Sequence, residues 1–236
     1  MRMRLRQVAL LAKDLAPVER DIEGLLGVDM CFRDPGVGAF GLHNALFPVG
    51  DKLLEIVSPR EDGTTAGRLL DKRKGDGGYM VILQVDDLAG MRARFDEYDV
   101  RTVFTAEAPG ITGIHLHPRD VGGAILSVDQ AEAWDSWPWA GPSWRQHIRT
   151  GVVTDLVGVA IQARDPQAMA QRWAEVLGRA VTTSDDEHWI ELDEGTLRFV
   201  PLADDRGEGV SAIDVRAGDG ELRAAEVCGT TVNFVS

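Results

Sequence analysis

The chain of 236 residues contains an internal repeat, and a repeat of this kind limits the fold more than composition does. Residues 8–27 read VALLAKDLAPVERDIEGLLG, and residues 159–178 align with them without a gap as VAIQARDPQAMAQRWAEVLG. A third copy begins at Val81 as VILQVDDLAGMRARFDEYDV. Each copy has an apolar run typical of a buried strand, an aspartate suited to capping a helix, and an amphipathic segment. We therefore predict one strand and one capped helix, three times over.

The segments after the three helices change to the period of two that is typical of strands. Turn residues divide each of these segments, so that three strands are predicted after every helix. The repeating unit is then βαβββ, and the fold class is α+β with cupped mixed sheets. The last segment, 209–235, is too short for a complete fourth copy, so we expect a truncated, degenerate unit there. The predicted strands are 30–33, 39–47, 52–57, 102–105, 114–117, 124–128, 180–183, 188–192 and 197–201.

The repeats predict two domains, 1–130 and 151–236, joined by a connection at 131–150. That connection holds Trp134, Trp137, Trp139 and Trp144, which makes it too apolar for a free linker. We expect it to pack between the two halves or across a dimer contact. The functional alternative is an aromatic lid over a ligand.

Charge and cysteine content narrow the classes of function and location. The net charge of -13 argues against a nucleic-acid partner, which would require clustered Lys and Arg. No apolar run approaches the roughly 20 residues that cross a bilayer, so no membrane association is expected. The two cysteines, Cys31 and Cys228, are too few for a disulfide framework, and a cytoplasmic location is expected.

Four segments carry a resemblance to a known superfamily: VALLAKDL at Val8, LLEIVSP at Leu53, YMVILQVDDL at Tyr79 and HLHPRDVGGAILSV at His115. With them the sequence resembles the glyoxalase, bleomycin-resistance and extradiol-dioxygenase proteins, the vicinal oxygen chelate superfamily. The last segment is especially similar to the corresponding hairpin of methylmalonyl-CoA epimerases. The resemblance implies paired βαβββ modules that wrap into a cup.

The resemblance also implies a divalent metal inside the cup, held by one side chain from each of four strands. In this sequence those positions carry Gln7, Glu55, Met80 and Ser127, of which only Glu55 is an ordinary metal ligand. The equivalent positions in the second half include Gly158 and Arg198. We therefore predict a degenerate metal site and no bound cofactor.

Two histidines give the cup an alternative set of ligands. His115 and His117 are two apart on a predicted strand, so they share one face and could join Glu55 in a relocated metal site. If a metal is bound, Glu55, Gln7 and His115 are the candidate ligands. The alternative, which the resemblance implies, is that the His-Pro-Arg-Asp turn serves shape and contacts at the edge of a ligand rather than metal binding. Asn44 is a further candidate for ligand contact.

These features lead to one functional prediction and two alternatives. The first is a glyoxalase-like protein that binds a small organic metabolite in the N-terminal cup, contacted by Gln7, Asn44, Met80, Ser127 and the two histidines. Glu55 is then the candidate catalytic residue, because burial beside Met80, Leu10 and Leu83 would raise its pKa. The alternatives are a metal-dependent lyase, isomerase or epimerase, and a non-catalytic interaction module with a filled cup. A homodimer is the expected assembly.

Overall fold

The computed structural model describes residues 1–218 and 223–236, which form two seven-stranded mixed sheets. The first sheet has the order β2-β3-β1-β4-β7-β6-β5. Its elements in chain order are β1 (Met3–Leu11), α1 (Leu15–Leu26), β2 (Leu42–Val49), β3 (Lys52–Pro59), α2 (Thr65–Arg73), β4 (Gly77–Val85), α3 (Leu88–Glu97), β5 (Thr102–Ala108), β6 (Ile111–Leu116), α4 (Pro118–Val121) and β7 (Ile125–Ala131).

The second sheet has the order β13-β14-β12-β8-β11-β10-β9. Its elements are β8 (Val153–Ala163), α5 (Pro166–Leu177), β9 (Thr182–Ser184), β10 (Glu187–Glu191), β11 (Thr196–Pro201), β12 (Gly209–Ala217), β13 (Ala224–Val227) and β14 (Thr230–Val235). Compared by position, β12 takes the place of β1, and β8 takes the place of β4. The predicted α+β class with cupped, repeated modules is confirmed.

The three predicted helix starts are confirmed as side-chain caps. Asp14, Asp87 and Asp165 each accept a backbone N–H from the first turn of α1, α3 and α5. At the other end, Gly27 and Gly178 have φ of 63° and 67°, a left-handed conformation that glycine adopts without a steric cost. The repeated feature of the sequence is thus a set of residues that begin and end each helix.

One predicted strand is wrong. Residues 30–33 contribute only an isolated bridge between Phe32 and Leu46, and a 3-10 helix, Pro35–Phe40, follows. Pro35 has no N–H to give to a ladder, and the Asp34 side chain accepts the N–H of Gly36 instead. The chain therefore turns before it can pair along a full strand.

The fourth copy is truncated, as predicted. Only residues 218–223 connect β12 to β13, and the structure describes just the first and last of them. One face of each sheet packs into a shared hydrophobic core with α1, α3 and α5. In that core α1 contacts β13 and β12 contacts β4, so the N-terminal half packs directly against the strands of the fourth copy. None of the helices in the described residues is both long and apolar enough to cross a membrane.

The opposite face of the first sheet forms a separate concave surface, which we call the N-terminal cup. Strand alternation places Gln7, Glu55, Met80 and Ser127 on this face, one each from β1, β3, β4 and β7. All four side chains are buried. Their neighbours Val8, Leu54, Val81 and Leu126 point into the shared core.

Candidate functional site

The tryptophan-rich connection covers the N-terminal cup. We call residues 132–150 the Trp strap. Trp137 and Trp144 are buried with Leu53, Met80 and Ile82 in a hydrophobic cluster distinct from the main core. The expected packing between the two halves is therefore wrong, since these indoles are buried against the apolar cup instead, and the dimer contact stays a prediction. The strap lies where the alternative prediction of a lid would place it.

Glu55 lies beneath the strap in a closed hydrogen-bond network. Its Oε2 accepts the Gln7 amide at 2.8 Å, and its Oε1 accepts the Asn44 amide at 2.6 Å. Trp137 in turn donates its indole N–H to the Gln7 carbonyl at 2.8 Å. Burial raises the pKa of Glu55 above its ordinary value, and the two amide donors oppose this only in part. The Glu55 carboxyl therefore takes up a proton more easily than an exposed glutamate does.

The apolar surroundings of Glu55 differ from those expected. Met80 lies in the cup cluster as predicted, but Leu10 and Leu83 pack into the main core on the other face of the sheet. Strand periodicity explains this, because Ala9 is the β1 residue that pairs with both Glu55 and Met80. Glu55 is desolvated by Met80 and the strap rather than by the leucines.

Asp129, which the sequence analysis did not single out, is a second buried carboxyl in the cup. It accepts the Ser127 hydroxyl at 2.5 Å and the Trp139 indole N–H at 2.7 Å. Burial raises its pKa to about 7. The signal was present in the sequence, since Asp129 is two residues after Ser127 on a strand and must share its face.

The four metal positions do not fit a divalent cation. Both Glu55 oxygens accept amide N–H groups, and the Gln7 carbonyl accepts an indole. The Ser127 hydroxyl donates to Asp129, and Met80 offers only a thioether. Among the described residues, no group of three or more His, Cys, Asp or Glu side chains is placed to hold a metal ion. No step of the chemistry is therefore assigned to a metal.

The two histidines do not share one face, as the relocated metal site would have required. His115 lies in β6, where it packs against Phe104, and burial lowers its pKa to about 4. His117 lies outside the strand and caps α4, with its Nδ1 accepting the Arg119 N–H at 3.1 Å. Pro118 ends the strand, so the spacing of two does not produce a shared face. This outcome matches the alternative that the turn serves shape.

Asn44 connects the buried network to an open cavity of about 520 Å³. Its side chain bonds Glu55, and its Oδ1 also accepts the Asp34 N–H at 2.8 Å. Burial and two nearby arginines, Arg60 and Arg33, lower the pKa of His43 at this cavity. The lining residues are Asp14, Leu15, Ala16, Glu19, Arg33, Asp34, Pro35, Gly38, Leu42, His43, Asn44 and Arg60.

The equivalent face of the second sheet, which we call the C-terminal cup, has different chemistry. Arg198 forms a bidentate ion pair with Asp214, with N–O distances of 2.6 to 2.9 Å. Asn233 donates to the same carboxylate at 2.8 Å. A side chain at Gly158 would meet Asp214, so the small residue leaves room for the pair. By strand order, β12 and β11 correspond to β1 and β7, so the ion pair lies on the counterparts of the strands that carry Gln7 and Ser127.

Comparison by sequence shows similarity to methylmalonyl-CoA epimerases. The mitochondrial methylmalonyl-CoA epimerases of Homo sapiens and Mus musculus are each 24% identical to this chain over 131 residues. The match covers 54% of this chain and 74% and 73% of the two relatives, respectively. No protein-family model matches the chain.

Solved structures show the same fold. A Staphylococcus aureus hypothetical protein aligns over 100% of this chain and 99% of its own, with a TM-score of 0.76 and 10% identity. A variant of Streptomyces coelicolor methylmalonyl-CoA epimerase, in complex with 2-nitronate-propionyl-CoA, aligns with 55% of this chain and 98% of its own. Its TM-score is 0.50 at 17% identity. The chain is thus similar in sequence to methylmalonyl-CoA epimerases over 131 residues, and its fold is of the cupped, vicinal oxygen chelate type.

Proposed function

We propose that the N-terminal cup binds a small organic acid or acyl thioester and that Glu55 is its functional carboxyl. The observation that carries the proposal is the burial of Glu55 in a largely apolar cup, where both of its oxygens accept amide N–H groups. Burying a carboxyl is costly unless its partners are in place, and such groups concentrate at functional sites. Similarity to epimerases supports the proposal, because it spans 131 residues, just over half the chain.

Glu55 has the properties of a proton carrier. Its raised pKa brings the protonated and ionised forms closer in free energy at neutral pH than for an exposed glutamate. Gln7 and Asn44 fix the direction of the two oxygens, so a proton would pass to or from a defined point. An epimerase needs such a group to remove and return a proton beside a carbonyl. This chemistry is the proposed reaction class, and it uses no metal.

Access to Glu55 has two candidate routes in the structure. One is the open cavity beside Asn44, which is separated from Glu55 by a single amide group. The other is displacement of Trp137, whose indole is bonded to Gln7. Either route leaves the strands in place, since only a side chain or the strap moves.

The proposal is tested by exchange of substrate α-protons with deuterium in D2O, using methylmalonyl-CoA and short acyl-CoA thioesters as probes. Glu55→Gln keeps the size of the side chain and one hydrogen-bonding oxygen, so the fold should persist while exchange is lost. Glu107→Gln, on the exposed edge strand β5, is the matched control and should exchange as the wild type does. Exchange that is equal in wild type and Glu55→Gln would eliminate the role of Glu55.

A second candidate function is a non-catalytic module whose cup is filled by its own strap. Trp137 and Trp139 favour it, because each donates its indole N–H to the polar groups that a ligand would use. Native mass spectrometry separates the two functions. A copurified or added metabolite bound at one per chain supports the binding function, and a chain that binds none of the probes supports the filled module.

We further propose that residues 1–130 form the ligand-binding domain and that 151–236 mainly complete the core. The shared hydrophobic core supports this division, since β12 and β13 contact β4 and α1 of the first half. A chain truncated after residue 150 would then expose that core surface and aggregate.

A further inference from the structure

We infer that Arg6 provides an anion subsite in the N-terminal cup, which binds the carboxylate of an apolar organic acid when the Trp strap shifts. The inference rests on the proposed function of this cup, because it names the group by which a ligand would be anchored beside Glu55. It depends on two nitrogens of the Arg6 guanidinium, Nε and Nη2, which are buried and have no hydrogen-bond partner among the described residues.

A β-bulge brings Arg6 into the cup. The pairing of β1 with β4 shifts register between Leu5 and Gln7, so that Arg6 and Gln7 both face away from the main core. Without the shift, neighbouring residues would point to opposite faces. Both side chains meet Trp137, because the Gln7 carbonyl accepts its indole N–H and the Arg6 guanidinium lies against its ring.

Among the described residues, only one of the three guanidinium nitrogens of Arg6 has a hydrogen-bond partner. Nη1 donates to the Asp51 backbone carbonyl and lies 3.1 Å from the Asp51 carboxylate. Nε and Nη2 are buried and make no hydrogen bond to any of the residues 1–218 and 223–236. The side chain as a whole is 0% exposed. Nε–H and an Nη2–H point from the same edge of the guanidinium, and this edge matches the two oxygens of a carboxylate.

The strap covers this free edge with aromatic rings. The Arg6 Cζ lies 5.2 Å from the ring centroid of Trp137 and 5.4 Å from that of Trp144. Both tryptophans also line a cavity of about 500 Å³, together with Phe32 and Arg145. The rings therefore form a wall between Arg6 and the cavity. An acid with an apolar body fits these aromatic walls, and rotation of either indole would expose the free edge to its carboxylate.

The charges around Arg6 favour an anion. Arg4 and Lys52 are also buried, and they share Asp51 with Arg6. Asp155 pairs with Lys52, and Glu194 pairs with both Arg4 and Lys52. Arg145 adds a further positive charge on the strap side, so the four cations outnumber the three carboxylates Asp51, Asp155 and Glu194. Burial and the neighbouring Arg4 lower the pKa of Arg6 to about 10, so it stays charged at neutral pH.

The test is a titration followed by tryptophan fluorescence, because the proposed site is walled by Trp137 and Trp144. The probes are matched pairs of acid and neutral amide with the same body, such as phenylacetate with phenylacetamide and hexanoate with hexanamide. Arg6→Lys keeps the charge and removes the bidentate edge. Arg2→Lys is the matched control, since Arg2 is exposed and contacts only the outer Trp134 ring of the strap.

Acids should bind and the paired amides should not, and Arg6→Lys should weaken acid binding by about tenfold or more while Arg2→Lys leaves it unchanged. Equal binding of acid and amide to the wild type would overturn the inference without use of any variant. Acid binding of unchanged affinity in Arg6→Lys would also overturn the inference. A wild-type protein that binds none of the acids would overturn it too. Glu55→Gln separates this inference from the proposed function, since it should abolish proton exchange and retain acid binding.

Discussion

The two cups lie on equivalent faces of the two sheets, but their buried carboxyl groups have different kinds of partner. In the N-terminal cup, Glu55 and Asp129 lie under the Trp strap and are bonded to neutral amide, hydroxyl and indole groups. In the C-terminal cup, Asp214 is paired with the guanidinium of Arg198, which remains 36% exposed. Burial among neutral groups raises the pKa of both Glu55 and Asp129, so these carboxyls are able to take up a proton. This difference supports the proposal that the chemistry takes place in the N-terminal cup.

The strap should account for the largest difference in stability between the cups. Trp137→Ala removes a fully buried indole and its bond to Gln7, and we expect a loss of about 3–5 kcal/mol in the free energy of unfolding. Trp189→Ala is the control on the C-terminal cup, where the half-buried ring should cost about 1 kcal/mol. Urea unfolding measures both, and equal losses would show that the strap contributes no special stability.

Titration of Asp129 should make the N-terminal cup sensitive to pH. The folded protein holds the proton with a pKa of about 7, while the unfolded chain releases it near 4. The folded state therefore binds more protons between these values, and stability falls as the pH rises from about 4 through 7, by up to about 4 kcal/mol.

Asp129→Asn should flatten this part of the pH profile, as measured by urea unfolding between pH 4 and 8. The comparison is the difference between variant and wild type at each pH, which removes the contribution of other groups. A difference that stays constant over this range would show that Asp129 does not titrate there.

Removal of the carboxylate in the C-terminal cup should have a smaller effect. Asp214→Asn breaks the ion pair, but water can solvate the exposed part of Arg198, so we expect a loss of about 1 kcal/mol. Thermal unfolding measures the loss, with the exposed Thr231→Ala on the same sheet as control. A loss as large as that of Trp137→Ala would mean that this ion pair is as important to the fold as the strap.

Loss of a helix cap should have the smallest effect and should differ between the two repeats. Asp165 accepts the Ala168 N–H at 2.9 Å, and Asp14 accepts the Ala16 N–H at 3.3 Å. Asp165→Ala should therefore cost about 1 kcal/mol and Asp14→Ala less. Chemical denaturation of both variants decides the order, and the reverse order would contradict the assignment of the stronger cap to α5.

Local signals in the sequence predicted most of the fold. The aspartate caps and the glycines after α1 and α5 act within one turn, so their effects follow from the residues alone. The predicted strand at 30–33 failed because Pro35 and Asp34 favour a turn, and this local competition outweighed the apolar pattern.

The candidate site was predictable only in part, because it depends on which segments meet in three dimensions. The resemblance to the superfamily implied that Gln7, Glu55, Met80 and Ser127 share the cup, and in the structure these side chains lie on one face of the first sheet. No spacing in the sequence indicates that Trp137 and Trp139 reach back to the cup, since they bond residues 130 and 10 positions away. The bulge that turns Arg6 into the cup is likewise a property of the sheet register.

Exchange of the indole N–H protons with D2O, followed by NMR, tests the central claim that the Trp strap closes the N-terminal cup over its two carboxyls. The account predicts that the Trp137 and Trp139 protons exchange far more slowly than that of Trp189, that Glu55→Gln shifts the Trp137 signal, and that Asp129→Asn shifts the Trp139 signal. Exchange of Trp137 and Trp139 as fast as that of Trp189 would contradict it.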